Sequence, residues 1–253
     1  MKIDQGISIP KKRVAREAIR DLSALAEPEM AKRQLTLWLT GERPFVQRAL
    51  WLCEEICEAS ALGSMEGRSL FRVALGALLE LNHPLMLRLM VMAKEEGLEL
   101  TRATLWSALI PHRNQRNEER TITTNESGRT LTLGERRSLA RRPTAKSIER
   151  LLCDPDPVVL GHLLSNPRLT EALLLKIVTD RSQVSSHLYK VFEHPIWGQR
   201  QSIQRAIALN PRSPLALRCS LVSSCSTEDH DSILREVGLP SPLRAAIHRW
   251  RHA

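Results

Sequence analysis

The chain has little of the material from which β-sheets and secreted scaffolds are built. Aromatic side chains make up only 4% of its 253 residues, and Tyr189 is the single tyrosine. Because strands favour aromatic and β-branched side chains, this composition predicts an all-α fold. The five cysteines lack the dense, regular spacing of a disulfide framework, so we expect a reducing, cytoplasmic environment.

Long apolar runs without charges are also missing. The most apolar stretch, 70–93, is interrupted by Arg72, Glu80 and Arg88, which are too costly for the centre of a bilayer. We therefore expect no membrane span, and we interpret the stretch as two buried helices joined by a turn near Pro84. The first residues are not followed by a seven-residue apolar segment, so no secretory signal is expected.

What the sequence does contain is helical periodicity. From Val14 to Ala26, apolar residues recur at spacings of three and four, and similar runs follow along the chain between Pro, Gly and Asn stop signals. The segment 112–132 loses this period and is rich in Arg, Asn, Thr and Glu, which indicates a polar, mobile linker or loop. The sequence therefore predicts an N-terminal helical domain over 1–111, this linker, and a C-terminal helical domain over 133–253.

A short phrase recurs in the C-terminal domain. The letters LSNPR at 164–168 return as ALNPR at 208–212, an offset of 44 residues. Asn tolerates the left-handed backbone that ends a helix, and proline cannot continue one, so the Asn-Pro pair is a compact stop signal. A period of this size is typical of HEAT-like repeats, in which antiparallel helix pairs stack as an α-solenoid. We therefore expect that architecture.

These features carry a family resemblance. The stretch from Leu131 to Ile177 resembles bacterial HEAT-like and leucine-rich-repeat-variant helical proteins, and 193–218 continues the likeness. The matching features are the Asp-Pro-Asp-Pro run at 154–157 and the later Asn-Pro and His-Pro pairs. The resemblance implies a fold and no particular activity, because such folds host many functions. The cysteine-rich iron–sulfur segment of the leucine-rich-repeat-variant family has no counterpart here, so the resemblance implies no cofactor.

Positive charge is in excess, and it is unevenly spread. The net charge is +9, and most of it falls between residues 111 and 150. The densest part is the arginine cluster, defined as Arg136, Arg137, Arg141 and Arg142. Residues 137 and 141 lie one helical turn apart, so the two pairs are predicted to form a face that binds phosphates or carboxylates. The alternatives are an acidic protein partner, a nucleic acid, or a solvated helix face without a specific role.

The sequence gives no support for catalysis or for metal binding. The chain has no Gly-rich phosphate loop, no Gly-x-Ser-x-Gly elbow and no His-Glu-x-x-His motif. The run EDHD at 228–231 contains a His-Asp pair used by HD-type phosphohydrolases, but no aspartate follows Asp231, so a solvated helix start is favoured. Cys53 and Cys57 share a helix face without a second ligand pair, so we predict that they pack in the core.

The sequence thus favours a noncatalytic protein-binding scaffold or adaptor that needs no cofactor. The alternative is a basic nucleic-acid-binding helical-repeat module. A DNA-glycosylase-like activity would need a carboxylate and aromatic side chains in one groove, and none of the five tryptophans stands in such a motif. We expect a protein partner, with a nucleic acid as the alternative, and the oligomeric state is left open.

Overall fold

A computed structural model describes residues 8–25, 27–109, 129–154, 156–181 and 185–252. Every regular element in these ranges is helical, which confirms the all-α prediction. Two short 3₁₀ helices, Trp197–Gln199 and Val222–Ser224, accompany the α-helices. The α-helices are α1 (Ser8–Ser23), α2 (Pro28–Thr40), α3 (Arg43–Ala61), α4 (Met65–Leu79), α5 (His83–Glu95), α6 (Glu99–Leu109), α7 (Leu133–Arg141), α8 (Ala145–Leu152), α9 (Pro157–Leu164), α10 (Glu171–Val178), α11 (Ser185–Glu193), α12 (Gln201–Leu209), α13 (Leu215–Ser220), α14 (Thr227–Leu234) and α15 (Ser241–Arg251).

The described helices were compared with the length and apolar character of a membrane-spanning helix. Within the described ranges, no helix combines the length and the apolar character needed to cross a bilayer. The expectation of no membrane span is met for that part of the chain.

Several helix starts follow from local sequence signals. Thr132 and Glu135 form a capping box, in which the Thr132 hydroxyl accepts the Glu135 N–H and the Glu135 carboxylate accepts the Thr132 N–H. Asn82 caps α5 by accepting the Leu85 N–H at 3.0 Å.

Most of the predicted 112–132 linker lies outside the described residues, so its predicted mobility stays a prediction.

The chain divides into two compact units. Unit 1 comprises Met1–Pro111 and Arg218–Ala253, and unit 2 comprises His112–Leu217. This grouping places the last helices with the N-terminal ones, whereas the sequence analysis grouped 133–253 as one domain. The difference arises because side-chain packing, which periodicity does not report, decides which helices share a core.

Helix α3 is the centre of unit 1. It packs against α1, α2, α4 and α6, and α15 packs against α3 and α6. Its side chains Leu50, Leu52 and Ile56 are fully buried. Each such burial contributes about 1.5–3 kcal/mol, so the α3 surface supplies a large part of the driving force for folding this unit.

A buried carboxylate ties α3 to α6. Glu54 accepts the N–H groups of Leu100 and Thr101 at 3.3 and 2.8 Å. The first N–H groups of a helix have no partner within that helix, and they form the positive end of its dipole. Glu54 therefore stabilises the start of α6, and Arg249 of α15 lies 3.5 Å from the same carboxylate.

Unit 2 is built from short helices that contact alternate neighbours. Helix α7 packs on α9, α9 packs on α11, and α10 packs on α12. Starts of corresponding helices keep the 44-residue offset: α9 begins at Pro157 and α12 at Gln201, while α10 begins at Glu171 and α13 at Leu215. The recurrence seen in the sequence thus marks a repeated order of helices.

The two Asn-Pro turns also share their hydrogen bonds. Asn166 and Asn210 each accept, through the side-chain oxygen, the N–H two residues later at 2.9 Å. Each also accepts, through the backbone carbonyl, the N–H three residues later at 3.0 Å. The two turns therefore share their local hydrogen bonding, while the HEAT-like repeat and the antiparallel stacking of an α-solenoid stay predictions.

Candidate functional site

The structure divides the arginine cluster into two kinds of residue. Arg136 Nη1 donates to both carboxylate oxygens of Asp154, at 2.6 and 2.7 Å. The Asp154 side chain is 0% exposed and that of Arg136 only 12%. Arg136 is therefore held in a largely buried ion pair, whereas the sequence analysis placed all four arginines on one binding face. Sequence spacing missed this pair because Asp154 follows α8 in the chain, eighteen residues after Arg136.

Arg137 is also engaged within unit 2. Its Nη2 donates to Asp156 at 3.0 Å, and Asp156 caps α9 by accepting the N–H groups of Val158 and Val159. Burial acts to raise the pKa of Asp156, but the hydrogen bonds from Arg137 and Val159 outweigh it, so the net pKa is lowered. The Asp-Pro-Asp-Pro run thus supplies one buried ion-pair partner and one helix cap.

Arg141 and Arg142 remain accessible. Both side chains are exposed, and Arg141 Nε lies 3.5 Å from His162 Nε2 on α9. Of the four arginines, only these two have the exposed side chains that a binding face requires. They are a candidate contact for an anion, whereas Arg136 and Arg137 are chiefly structural.

A second candidate surface lies on unit 1 and was missed by the sequence analysis. Helix α5 buries one apolar side, with Met86, Leu89 and Ala93 in the core. Its opposite side leaves Leu87 44% exposed and Val91 57% exposed. The prediction of a buried helix is therefore wrong for that outer side.

The exposed side of α5 borders a groove of about 510 Å³, called here the α5 groove. Arg43 and Val46 at the start of α3 complete it. Its α5 residues follow helical spacing along a single stripe. They are Pro84, Leu87, Arg88, Val91, Met92 and Glu95.

The charges of the α5 groove are not neutralised within the described chain. Arg43, Arg88 and Glu95 are exposed, and none of them forms an ion pair or hydrogen bond with another described residue. Surface arginines often pair weakly with nearby carboxylates, as Arg48 does with Asp21 at 2.7 Å. The groove therefore combines an apolar floor with charges that are open to a partner.

Glu96, which lines a cleft of unit 1, is paired internally. Glu96 accepts hydrogen bonds from Lys11 at 2.5 Å and from Trp51 and Gln47 at 3.2 Å. The Lys11 hydrogen bond is the largest cause of the lowered pKa of Glu96. Lys11 also lies over the Trp51 ring, 5.5 Å from its centroid. These contacts hold α1 against α3, so Glu96 has a structural role.

The cysteine and histidine candidates are structural too. Cys53 and Cys57 are buried, as predicted, and burial raises the pKa of the Cys53 thiol to about 12. His230, expected in a solvated helix start, is instead buried, with Nε2 2.8 Å from the Val222 carbonyl oxygen. Among the residues that the structure describes, no group of three or more metal-ligating side chains is arranged to hold an ion.

Comparisons with known proteins give no further guide. No family model matches the chain, and neither a curated protein nor a solved structure matches it. The α5 groove and the exposed arginines are therefore the two surfaces from which a function can be inferred.

Proposed function

We propose that this chain is a noncatalytic protein-binding scaffold or adaptor, and that the α5 groove is its docking surface. The observation that supports this is the exposed apolar side of α5, with Leu87 and Val91 beside the open groove. Single exposed apolar residues are normal on protein surfaces. Apolar residues that line one groove at helical spacing are a mark of an interaction site.

The energetics favour a protein ligand. Covering the exposed halves of Leu87 and Val91 contributes about 1 kcal/mol for each side chain, which together corresponds to roughly 30-fold in affinity. The free energy of burying these two side chains is gained only when a partner covers them. The resemblance to helical-repeat proteins and the proposed cytoplasmic location agree with an adaptor role.

Binding of a polyanion is the second candidate, and it is favoured by one observation. Arg141 and Arg142 are exposed next to His162, so two cationic side chains on unit 2 are available to phosphates. Two exposed arginines give at most a weak, strongly salt-dependent contact. The α5 groove is therefore the stronger candidate.

The test is affinity capture from native cells by three versions of the full chain, with and without nuclease. The versions are wild type, Leu87→Ser/Val91→Ser and Arg141→Gln/Arg142→Gln. We expect wild type and the arginine variant to retain the same protein after nuclease treatment, and the α5 variant to lose it. Because all four side chains are exposed, we expect the melting temperatures of the three versions to agree. Capture that survives the α5 changes but disappears with nuclease or the arginine changes would contradict the proposal.

A further inference from the structure

The α5 groove has the form of a site for a helix. Its lining stripe runs over eleven residue steps of α5, from Pro84 to Glu95, which is about 16 Å at 1.5 Å per residue. That length accommodates about three turns of a second helix, whose apolar side chains at three- and four-residue spacing would meet Leu87 and Val91. The described residues offer no β-strand edge at which an extended peptide could add a strand.

The charged residues of the groove indicate which charges flank the apolar side of the partner helix. Arg43, Arg88 and one carboxylate, Glu95, line the groove, and none of the three pairs with another residue that the structure describes. Arg88 and Glu95 are seven residues apart, so they lie on the same side of α5, two turns and about 10 Å from each other. A partner that matches this pattern carries acidic groups near Arg88 and a basic group two turns away.

We infer that the α5 groove binds an amphipathic α-helix of another protein, with acidic residues at one end of its apolar stripe and a basic residue two turns away. This rests on the proposed protein-binding function and specifies its partner. The two arginines exceed the one carboxylate, so the partner segment is net acidic. The opposite charges at the two ends also fix the direction in which it lies along α5.

A second copy of this chain fits the groove less well. In an antiparallel pairing of two α5 helices, Arg88 of each copy could meet Glu95 of the other, but the groove lining holds two arginines and one carboxylate, so positive charge stays in excess. The chain also carries a net charge of +9, which disfavours the approach of two copies. An acidic segment of a different protein avoids both penalties.

The test is selection from a displayed library of helical peptides of roughly 18 residues, a length that sustains helix formation. Each peptide has a fixed leucine stripe at three- and four-residue spacing, and the remaining positions vary among Asp, Glu, Lys, Arg, Gln and Ala. The full chain is the target, and clones that also bind Leu87→Ser/Val91→Ser are discarded. We expect the remaining clones to be enriched in Asp or Glu at one end and in Lys or Arg seven residues away.

A charge exchange then tests the contact itself. Arg88→Glu should weaken binding of a selected acidic peptide by about tenfold, since an attraction becomes a repulsion. The double variant Arg88→Glu/Glu95→Lys should instead prefer the same peptide with its charged positions reversed. Arg33→Glu is the matched control, because Arg33 is an exposed arginine of α2 that does not line the groove, and this change should leave peptide binding within about twofold.

The outcomes separate this inference from the proposed function. Groove-dependent clones with no charge preference, or with the opposite one, would overturn the acidic-helix inference and leave the docking surface intact. A chain that dimerises in sedimentation, and becomes monomeric with Arg88→Glu, would assign the groove to a second copy instead. Failure to recover any clone that depends on Leu87 and Val91 would overturn both.

Discussion

Replacing Arg136 with alanine should destabilise unit 2 far more than replacing Arg141. The change leaves the carboxylate of Asp154, which is 0% exposed, without its cationic partner. The Asp156 N–H, at 3.0 Å, remains as one donor to it. Removing one member of a buried pair costs about 3–5 kcal/mol, and we expect about 3 kcal/mol here because Arg136 retains slight access to water.

The assay is thermal unfolding of the full chain, followed by circular dichroism, for wild type, Arg136→Ala and Arg141→Ala. Loss of about 3 kcal/mol should lower the melting temperature of unit 2 by roughly 10 °C, since each kcal/mol shifts a domain of this size by several degrees. Arg141→Ala should remain within about 0.5 kcal/mol of wild type, as is usual for an exposed side chain. Equal stability of all three proteins would refute the assignment of Arg136 as a structural residue.

Three further predictions concern packing and accessibility in the two units. Gly67→Ala should lower the free energy of unfolding by about 1–3 kcal/mol, because a Cβ there would lie 2.7 Å from Ala59 of α3. Gly76→Ala on the same helix should be neutral or stabilising, and thermal melts compare the two variants. Asn210→Ala should cost about 2 kcal/mol more than Asn166→Ala in urea titrations, since buried Asn210 also donates to two carbonyl groups of the α10 end. A thiol reagent should modify the exposed Cys153 quickly in the folded chain and the four buried cysteines only on unfolding, with Cys153→Ser removing the fast reaction.

The helices were predictable because their signals are local. The Thr132 capping box and the two Asn-Pro turns act over three to five residues, and the structure contains both. The start of α1 was placed at Val14, yet the helix begins at Ser8. Its first six residues, with the sequence SIPKKR, show no apolar period that would mark the start of a helix.

The candidate sites were less predictable because they depend on packing between helices. Nothing in the spacing of the arginines indicates that Arg136 pairs with Asp154, which is eighteen residues away. The α5 surface did leave a signal, since 85–92 is apolar apart from Arg88. An apolar helix is normally buried on all sides, so the pattern was interpreted as core. Only the structure shows that one side has no covering element among the described residues.

Photo-crosslinking from the α5 groove tests the docking surface most directly. A photoreactive amino acid is placed at Val91, 57% exposed in the groove, or at Arg142 on unit 2 as the control. Irradiation in native cells should give a discrete protein adduct from position 91 that is absent from position 142 and unaffected by nuclease. That adduct should disappear when Leu87→Ser is added. Adducts only from position 142, or only nuclease-sensitive ones, would contradict a protein-binding role for α5.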